Sequence, residues 1–287
     1  MSGIVLIASY PKSGNTWTRI VFEKLRKGSA APLTDLSKHL HGGPLRRTFD
    51  DFSPVNAAEL SPEEIDDFFP DVYRRMTEET GETIIVKTHN AARRNRTGEW
   101  LYPPDVVTGV VYLTRHPFDV AVSSAHHLDE TLVQAVDVMA QDGRPNVSLD
   151  HLPERIPQWF RSWSGNVTSW LDGPYRLAVA RYEDLYASPV TEFARLANAA
   201  GFACDESQIS DVVAAARFDR LQQEEREFGF RESPAPSRAF FRAGRPGTWE
   251  GVLDHDLQAR IVADHGAVME RLGYGADGSV TSPWTIR

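Results

Sequence analysis

Short apolar runs alternate with helical patterns along most of the chain, and this alternation constrains the fold more than any other feature. Strands are predicted at Ile4–Ser9, Thr83–Thr88, Val106–Thr114 and Arg176–Ala180. Helices are predicted at Gly14–Arg26, Ser61 to about Glu79, Pro117–Leu128, Pro153–Leu171, Pro189–Gly201, Asp205–Arg217 and Asp254–Leu272, and loops at Arg46–Ser61, Gln141–Leu152 and Glu224–Gly247. The pattern predicts an α/β fold with a central parallel sheet flanked by helices, which binds ligands at the carboxyl ends of its strands.

Composition limits the class of protein. The chain has 287 residues, of which 41% are hydrophobic, enough to bury a sizeable core, and we expect one domain over residues 1–287. No apolar run approaches the roughly 20 residues that span a bilayer, and Ile4–Ala8 is too short for a secretory signal. Cys204 is the one cysteine, which excludes an internal disulfide and a cysteine zinc site. We therefore expect a cytoplasmic protein without a membrane partner.

The net charge of −9 argues against a general nucleic-acid binder, which would carry a basic surplus. It is compatible with an anionic ligand held by a few local cations. The sequence must therefore be searched for clusters of lysine, arginine and hydroxyl groups that follow strands.

The first such cluster follows the first strand, in the stretch Tyr10-Pro11-Lys12-Ser13-Gly14-Asn15-Thr16-Trp17. A turn that leads into a helix presents free main-chain N–H groups, and Lys12 adds a charge, so the loop is suited to a phosphate. Its lysine comes early, unlike that of the nucleotide loop G-x-x-x-x-G-K-[ST]. An ordinary turn with an exposed lysine is the alternative for the loop alone. Trp17 is suited to stacking on a base.

This stretch resembles the 5′-phosphosulfate loop of the cytosolic sulfotransferases that use 3′-phosphoadenylyl sulfate (PAPS), usually written Y-P-K-S-G-T-T-W. Asn15 takes the place of a threonine. The resemblance implies a P-loop-like nucleotide-binding sulfotransferase fold and, given how short and divergent the pattern is, a bacterial member of the family. It also implies that the donor PAPS is bound by Lys12, Ser13, Gly14, Asn15, Thr16 and Trp17.

The second cluster follows the third predicted strand. Arg115-His116-Pro117-Phe118-Asp119 leads to Ser123, two turns into a helix, and is similar to the family's R-[ND]-P-x-D-x-x-[VA]-S. The resemblance implies that Arg115 and Ser123 bind the 3′-phosphate, and an arginine offers the bidentate geometry that phosphate favours. The alternative is an arginine paired with Asp119 and a serine that faces solvent.

The third cluster lies far downstream. The stretch Phe241-Arg242-Ala243-Gly244-Arg245-Pro246-Gly247-Thr248-Trp249 is similar to the family's R-K-G-x-x-G-x-W. The resemblance implies donor contacts from Arg242, Ala243 and Gly244, with one charge lost because Ala243 replaces a lysine.

Two further positions concern the adenine ring. Tyr182 resembles the tyrosine of the family's Y-E-D-[LM] and is expected to contact the base; a core tyrosine is the alternative. The family also has a threonine or serine shortly before a phenylalanine that corresponds to Phe218. Ala216 and Arg217 occupy that stretch here, so the side-chain hydroxyl of the family pattern is missing.

The stretch Lys87-Thr88-His89 ends the second predicted strand and looks like the family's K-[TS]-H. The resemblance implies that His89 is the general base, that Lys12 stabilises the leaving phosphate, and that Lys87 assists. Histidine titrates near pH ~6.5, which suits removal of a hydroxyl proton at neutral pH. No metal is expected, and His39 and His41 are not expected to bind one.

The acceptor is expected to be a small molecule with a hydroxyl group, a phenol, an alcohol or a natural product of secondary metabolism. The segments Pro32–Phe69, Ala125–Pro157 and Glu224–Phe240 are the candidate lid and pocket regions, and His126 and His127 either line that pocket or lie at a solvated helix end. A P-loop small-molecule kinase and a non-catalytic nucleotide-binding module remain as alternatives, and a homodimer is compatible with the sequence.

Overall fold

The computed structural model describes residues 3–33, 45–143, 156–230, 232 and 239–282, together with the backbone of residues 145–146. Its centre is a four-stranded parallel sheet in the order β2-β1-β3-β6. The four strands are β1 (Gly3–Ser9), β2 (Thr83–Thr88), β3 (Val107–Thr114) and β6 (Leu177–Arg181). They confirm the four predicted strands and the parallel sheet.

Helices and two short strands complete the described chain. The helices are α1 (Asn15–Lys27), α2 (Arg46–Phe52), α3 (Pro62–Thr80), α4 (Pro117–Leu128), α5 (Leu132–Ala140), α6 (Trp163–Leu171), α7 (Tyr182–Ala187), α8 (Pro189–Ala199), α9 (Glu206–Ala215), α10 (Phe218–Phe228) and α11 (His255–Arg271). A two-residue antiparallel pair joins β4 (Pro145–Asn146) to β5 (Gln158–Trp159). None of the described helices is long and apolar enough to cross a membrane.

Both faces of the sheet are covered, and β1 shows this most directly. Leu6 and Ala8 belong to one hydrophobic core, whereas Val5 and Ile7 belong to the other. Successive side chains of a strand point to opposite faces, so a strand that is buried on both faces must be apolar at every position. This is why the run Ile4–Ala8 is continuous rather than alternating.

Five parts of the chain differ from the sequence prediction. The expected loop Arg46–Ser61 contains α2 and a 3-10 turn at Ala57–Glu59, Glu224–Phe228 continues α10, and α5 and α7 have no predicted counterpart. The expected helix Pro153–Leu171 begins only at Trp163.

The late start of α6 has a local cause and a long-range cause. Arg161 has a left-handed φ of 61°, which interrupts a helix, and the Ser162 hydroxyl accepts from the Gly165 N–H to start a new one. Trp159 is instead bound to the segment that follows β2, since its main-chain N–H donates to the Asn90 side chain at 2.6 Å. Long-range pairing has therefore overridden the helical pattern. Of the predicted loop Gln141–Leu152, residue 144 and residues 147–152 lie outside the described part of the chain. Residues 153–155, at the start of the predicted helix, also lie outside it.

The strand order places the predicted site residues at one edge. The chain passes from β1 to β2 on one side and then to β3 on the other, so the carboxyl ends of β1 and β3 flank the point where the direction of winding reverses. Open parallel sheets bind ligands in the crevice at this point. Lys12 follows β1 and Arg115 follows β3, with His89 after β2 and Tyr182 after β6.

We expect Ser61→Ala to lower the free energy of unfolding by about 1 kcal/mol, because Ser61 caps α3. Its hydroxyl accepts from the Glu64 N–H at 3.3 Å, and the Glu64 carboxylate accepts from the Ser61 N–H at 2.8 Å. Urea unfolding measures the change, and Ser61→Asp, which keeps a capping oxygen, is the matched control. Equal stability of the alanine and aspartate variants would contradict a capping role.

Candidate active site

The loop after β1 has a backbone that only a few residues adopt. Lys12 has a left-handed φ of 68°, and Gly14, the residue before α1, has a φ of 97°. A Cβ atom on Gly14 would lie 2.9 Å from the Tyr182 ring. Gly14 is therefore required both by its backbone conformation and by the close approach of Tyr182, which links the loop after β1 to the start of α7.

The side chains of Asn15 and Ser13 in this loop have different surroundings. Asn15 donates to the Ile7 carbonyl at 2.9 Å and to the Ser9 hydroxyl at 3.2 Å, and its amide oxygen accepts from Arg19. Its side chain is thus occupied within the protein, which leaves its main-chain N–H as the group for a ligand. Ser13 is fully buried, and its hydroxyl has no hydrogen-bond partner among the described residues. An orphaned buried hydroxyl in an anion-binding loop fits a ligand that would complete it.

Aromatic rings lie next to this loop. Trp17 and Tyr182 are 6.2 Å apart between ring centroids and meet edge to face, and Trp17 packs in the same way on Phe193 at 5.0 Å. The Trp17 indole N–H donates to the Ala216 carbonyl at 2.9 Å. The stretch in which the expected threonine or serine is missing therefore still contacts this cluster, through its main chain.

Arg115 connects the second cluster to the third. Its guanidinium lies 4.5 Å over the Tyr182 ring and donates to the Arg245 carbonyl at 3.0 Å. The pairing with Asp119 that was the alternative is present at 3.4 Å. Arg115 is 8% exposed, and its Nε atom has no partner among the described residues, so the pairing leaves donor capacity unused.

Asp119 is mainly an anchor for the downstream loop. Its carboxylate accepts from the N–H groups of Gly247 and Thr248, at 2.8 and 2.7 Å, and from the Thr248 hydroxyl at 2.6 Å. Gly244 has a φ of 60°, and a Cβ atom there would lie 2.0 Å from the Phe218 ring. The loop is thus held at both ends, close against α4 and α10.

The remaining predicted residues of these two clusters are more open. Arg242 is exposed, Ala243 is half-buried, and Ser123 lies half-buried on α4. The positive charge of Arg242 is among those that lower the pKa of Lys12.

The predicted cations form one cluster. Burial, followed by the positive charges of Lys87, Arg115 and Arg242, lowers the pKa of Lys12 to about 8, while Glu232 opposes this shift. These charges act on Lys12 only because they lie near it. The loop after β1, the ends of β2 and β3, and the downstream loop therefore converge on one place. The Lys12 ammonium also lies 4.9 Å from the Phe240 ring centroid.

His89 is fixed in one protonation form by its neighbours. Its Nδ1 atom lies 2.9 Å from the Ser9 carbonyl oxygen, which can only accept, so Nδ1 carries the proton and Nε2 has a lone pair. Burial, and then the charge of Lys87, hold the pKa of His89 well below its usual range. A neutral imidazole with an unprotonated Nε2 is the form that a general base requires.

Four residues of this site were missed by the sequence predictions. They are Ser9, which orients His89, Arg19 and Glu232, which pair at 2.7 Å, and Asp119, which anchors the downstream loop. Asp119 is part of the matched pattern and could have been assigned this role. Glu232 carries no sequence signal, because its position depends on a contact across 213 residues.

Two histidine predictions have different outcomes. His127 lies near the cluster, since burial and then the charges of Lys12 and Lys87 lower its pKa to about 4. His39 and His41 lie outside the described residues. Within the described ranges, no group of three or more His, Cys, Asp or Glu side chains could hold a metal ion.

Comparison with known proteins places the chain in context. The model of a family described as "Sulfotransferase domain" matches residues 3–273. The chain is 24% identical over 274 residues to cytosolic sulfotransferase 16 of Arabidopsis thaliana, covering 89% of this chain and 73% of the relative. It is also 24% identical over 277 residues to a flavonol sulfotransferase-like protein of Flaveria bidentis, covering 90% and 78%.

Solved structures share the fold. A mouse sulfotransferase, SULT7A1, in complex with PAP has a TM-score of 0.57 at 16% identity and covers 92% of this chain and 84% of its own. Retinol dehydratase in complex with androsterone and the inactive cofactor PAP has a TM-score of 0.59 at 20% identity, covering 98% and 82%. At these sequence identities, the similarity between this chain and the two solved structures shows a shared fold and nothing more specific.

We expect Gly14→Ala to weaken binding of adenosine 3′,5′-bisphosphate, whereas Gly28→Ala leaves it unchanged. Both glycines have a φ near 100° and flank α1, so both substitutions cost about 1–3 kcal/mol of stability. Only the Gly14 substitution meets Tyr182, since a Cβ on Gly28 has nothing within 4 Å. Calorimetric titration separates the two, and equal binding by both variants would refute the role of the Gly14–Tyr182 contact.

Proposed function

We propose that this chain, which belongs to the sulfotransferase family, transfers a sulfuryl group from PAPS to a hydroxyl of a small molecule. The observation that carries the proposal is the convergence of Lys12, Lys87, Arg115 and Arg242 beside a neutral His89. The products are a sulfate ester and adenosine 3′,5′-bisphosphate.

The residues present fit this donor. PAPS carries a 3′-phosphate and a 5′-phosphosulfate. The site supplies Lys12 after β1, Arg115 after β3 and Arg242 after α10. The Ser13 hydroxyl and the Arg115 Nε atom are buried and have no hydrogen-bond partner among the described residues. Both are donors that an anion would satisfy. We assign Arg115, Ser123, Arg242, Ala243 and Gly244 to the 3′-phosphate, and the loop Lys12–Thr16 to the 5′-phosphosulfate.

We assign the adenine ring to the aromatic cluster of Trp17 and Tyr182. The two rings meet edge to face beside the loop, and Trp17 is held by its hydrogen bond to the Ala216 carbonyl. This carbonyl therefore positions the Trp17 ring. Aromatic faces are suited to a purine base.

The reaction follows from the roles assigned to His89 and Lys12. The acceptor oxygen forms a bond to sulfur as the bond from sulfur to the bridging phosphate oxygen breaks. The acceptor proton passes to Nε2 of His89, and the electron pair of the broken bond stays on the 5′-phosphate, where Lys12 stabilises it. Lys87 adds a second positive charge, and this alignment and charge stabilisation are the protein's main contribution.

The acceptor is proposed as a phenol, an alcohol or a natural product. Retinol dehydratase, which shares the fold, has been solved with androsterone, a small apolar alcohol. The Phe160 ring lies 5.8 Å from the His89 ring, and Phe240 lies beside Lys12, so apolar surface adjoins the reacting groups. This surface favours an apolar acceptor over a polysaccharide.

Other parts of the sequence prediction stay predictions. We propose a single sulfotransferase domain over residues 1–287, in which residues from Lys12 to Thr248 contribute to one site. A bacterial origin, a role in secondary metabolism, a cytoplasmic location and a homodimer are proposed on the sequence alone; the relatives described above that have a stated source come from plants and mouse.

The donor is tested by thermal unfolding with two nucleotides. We expect adenosine 3′,5′-bisphosphate to raise the melting temperature by several degrees, because a ligand at 100 times its Kd adds about 2.7 kcal/mol of stability. ATP with magnesium is expected to shift it less. A larger shift with ATP and magnesium would favour the kinase alternative, and binding without transfer to any acceptor in a panel would favour a non-catalytic module.

We expect His89→Ala to lower the transfer rate about 10²–10⁴-fold while the affinity for adenosine 3′,5′-bisphosphate is kept. In the wild type, kcat/KM should fall as the pH drops below the lowered pKa of His89, because the protonated imidazole cannot accept a proton. His255→Ala, at an exposed position on α11, is the control. Unchanged turnover in the His89 variant, or an acid limb that survives in it, would reject His89 as the base.

A further inference from the structure

Arg19 is a buried cation that the family pattern does not assign. It lies on α1, its side chain is 1% exposed, and its Nε atom donates to the Asn15 amide oxygen at 3.0 Å. Its Nη2 atom donates to the Thr16 hydroxyl at 3.1 Å. Its Nη1 atom is buried without a hydrogen-bond partner among the described residues. An arginine held in this way is a pre-oriented donor with capacity left over.

The Arg19 guanidinium forms an ion pair with the Glu232 carboxylate. Both of its oxygens lie 2.7 Å from Arg19 Nη2, and one also accepts from the Thr16 hydroxyl at 3.1 Å. The Lys87 ammonium is 3.7 Å from the same oxygen. The structure thus contains an anion-binding position formed by the end of β2 and the first turn of α1, and a side chain of this chain fills it.

The charge at this position is strongly stabilised. Burial raises the pKa of Glu232, but the charges of Arg19 and Lys87 outweigh burial and hold the pKa below its usual range. Arg19, Lys87 and Glu232 also act on the pKa of His89, so the position lies near the proposed base. An anion held here contacts α1, which follows the phosphosulfate loop, and Lys87 of β2, the strand that precedes His89.

We propose that Arg19 binds the sulfuryl group of the donor, and that the Glu232 carboxylate occupies this position until the donor displaces it. The inference rests on the proposed function and deepens it. A sulfuryl group carries oxygens that accept from the same three donors. Both anions at one position would repel each other strongly, so donor binding requires that Glu232 leave.

The alternative is that Arg19 and Glu232 form a permanent structural ion pair. The two predict opposite effects for Glu232→Gln. Breaking a structural pair leaves a buried arginine unpaired and weakens the site, whereas removal of a competing anion strengthens donor binding. Glu232 is 21% exposed, which makes an isosteric change there tolerable.

The experiment compares two nucleotides that differ only in the sulfuryl group. Calorimetric titration with PAPS and with adenosine 3′,5′-bisphosphate is carried out on the full chain and on its Arg19→Gln, Arg19→Lys and Glu232→Gln variants. We expect Arg19→Gln to weaken PAPS about tenfold or more, and the bisphosphate less than threefold. We expect Arg19→Lys to lie between the wild type and Arg19→Gln, and Glu232→Gln to tighten PAPS binding several-fold.

Each contrary outcome has one meaning. Equal losses for the two nucleotides in Arg19→Gln, or weaker PAPS binding in Glu232→Gln, would overturn the assignment of Arg19 while the proposed function stands. If the Arg19 variants do not fold, the sign of the Glu232→Gln effect decides alone. If the wild type binds neither nucleotide, the proposed function itself fails.

Discussion

The arrangement of this site depends on the repulsion among its cations. Lys12, Lys87, Arg115 and Arg242 come from four separate parts of a chain whose net charge is −9, and their mutual effect helps to lower the pKa of Lys12 to about 8. Like charges this close are unfavourable unless an anion joins them. Asp119 pairs with Arg115 and Glu232 lies beside Lys87, and a polyanionic donor is a further way to balance the charge. The same repulsion therefore favours donor binding.

The cations are held in place by neutral and acidic groups that take no part in the reaction. Asp119 accepts two main-chain hydrogen bonds and one side-chain hydrogen bond from the downstream loop, and Gly14 allows the Tyr182 ring to approach the loop after β1. Tyr182 in turn supports the Arg115 guanidinium. Each contact joins segments that are far apart in sequence. Because these contacts are made within the folded protein, the free energy that holds the cations together comes from the scaffold rather than from the ligand.

The sequence predicted the sheet well because its strands carry a local signal. Ile4–Ala8 is apolar at every position, and Thr83–Thr88 matches the observed strand at both ends. Helix starts were accurate where a cap is encoded, as at Ser61. The failures are places where distant contacts decide. Residues before Trp163 leave the helix because Trp159 pairs with Asn90, and Glu232 reaches Arg19 across most of the chain. The motif residues were located, but the use of the Asn15 side chain within the protein was not foreseen.

Two departures from the family pattern bear on one another. Ala243 removes a positive charge from the downstream loop, and Asn15 replaces a threonine in the first. The asparagine has a longer side chain with an acceptor and a donor, and it uses them to tie α1 to β1 and to orient Arg19. A threonine hydroxyl has too short a reach to make all three contacts. If Arg19 contacts the donor as proposed, the cluster regains on α1 the charge that it lacks at Ala243, and the asparagine is what makes that exchange geometrically feasible.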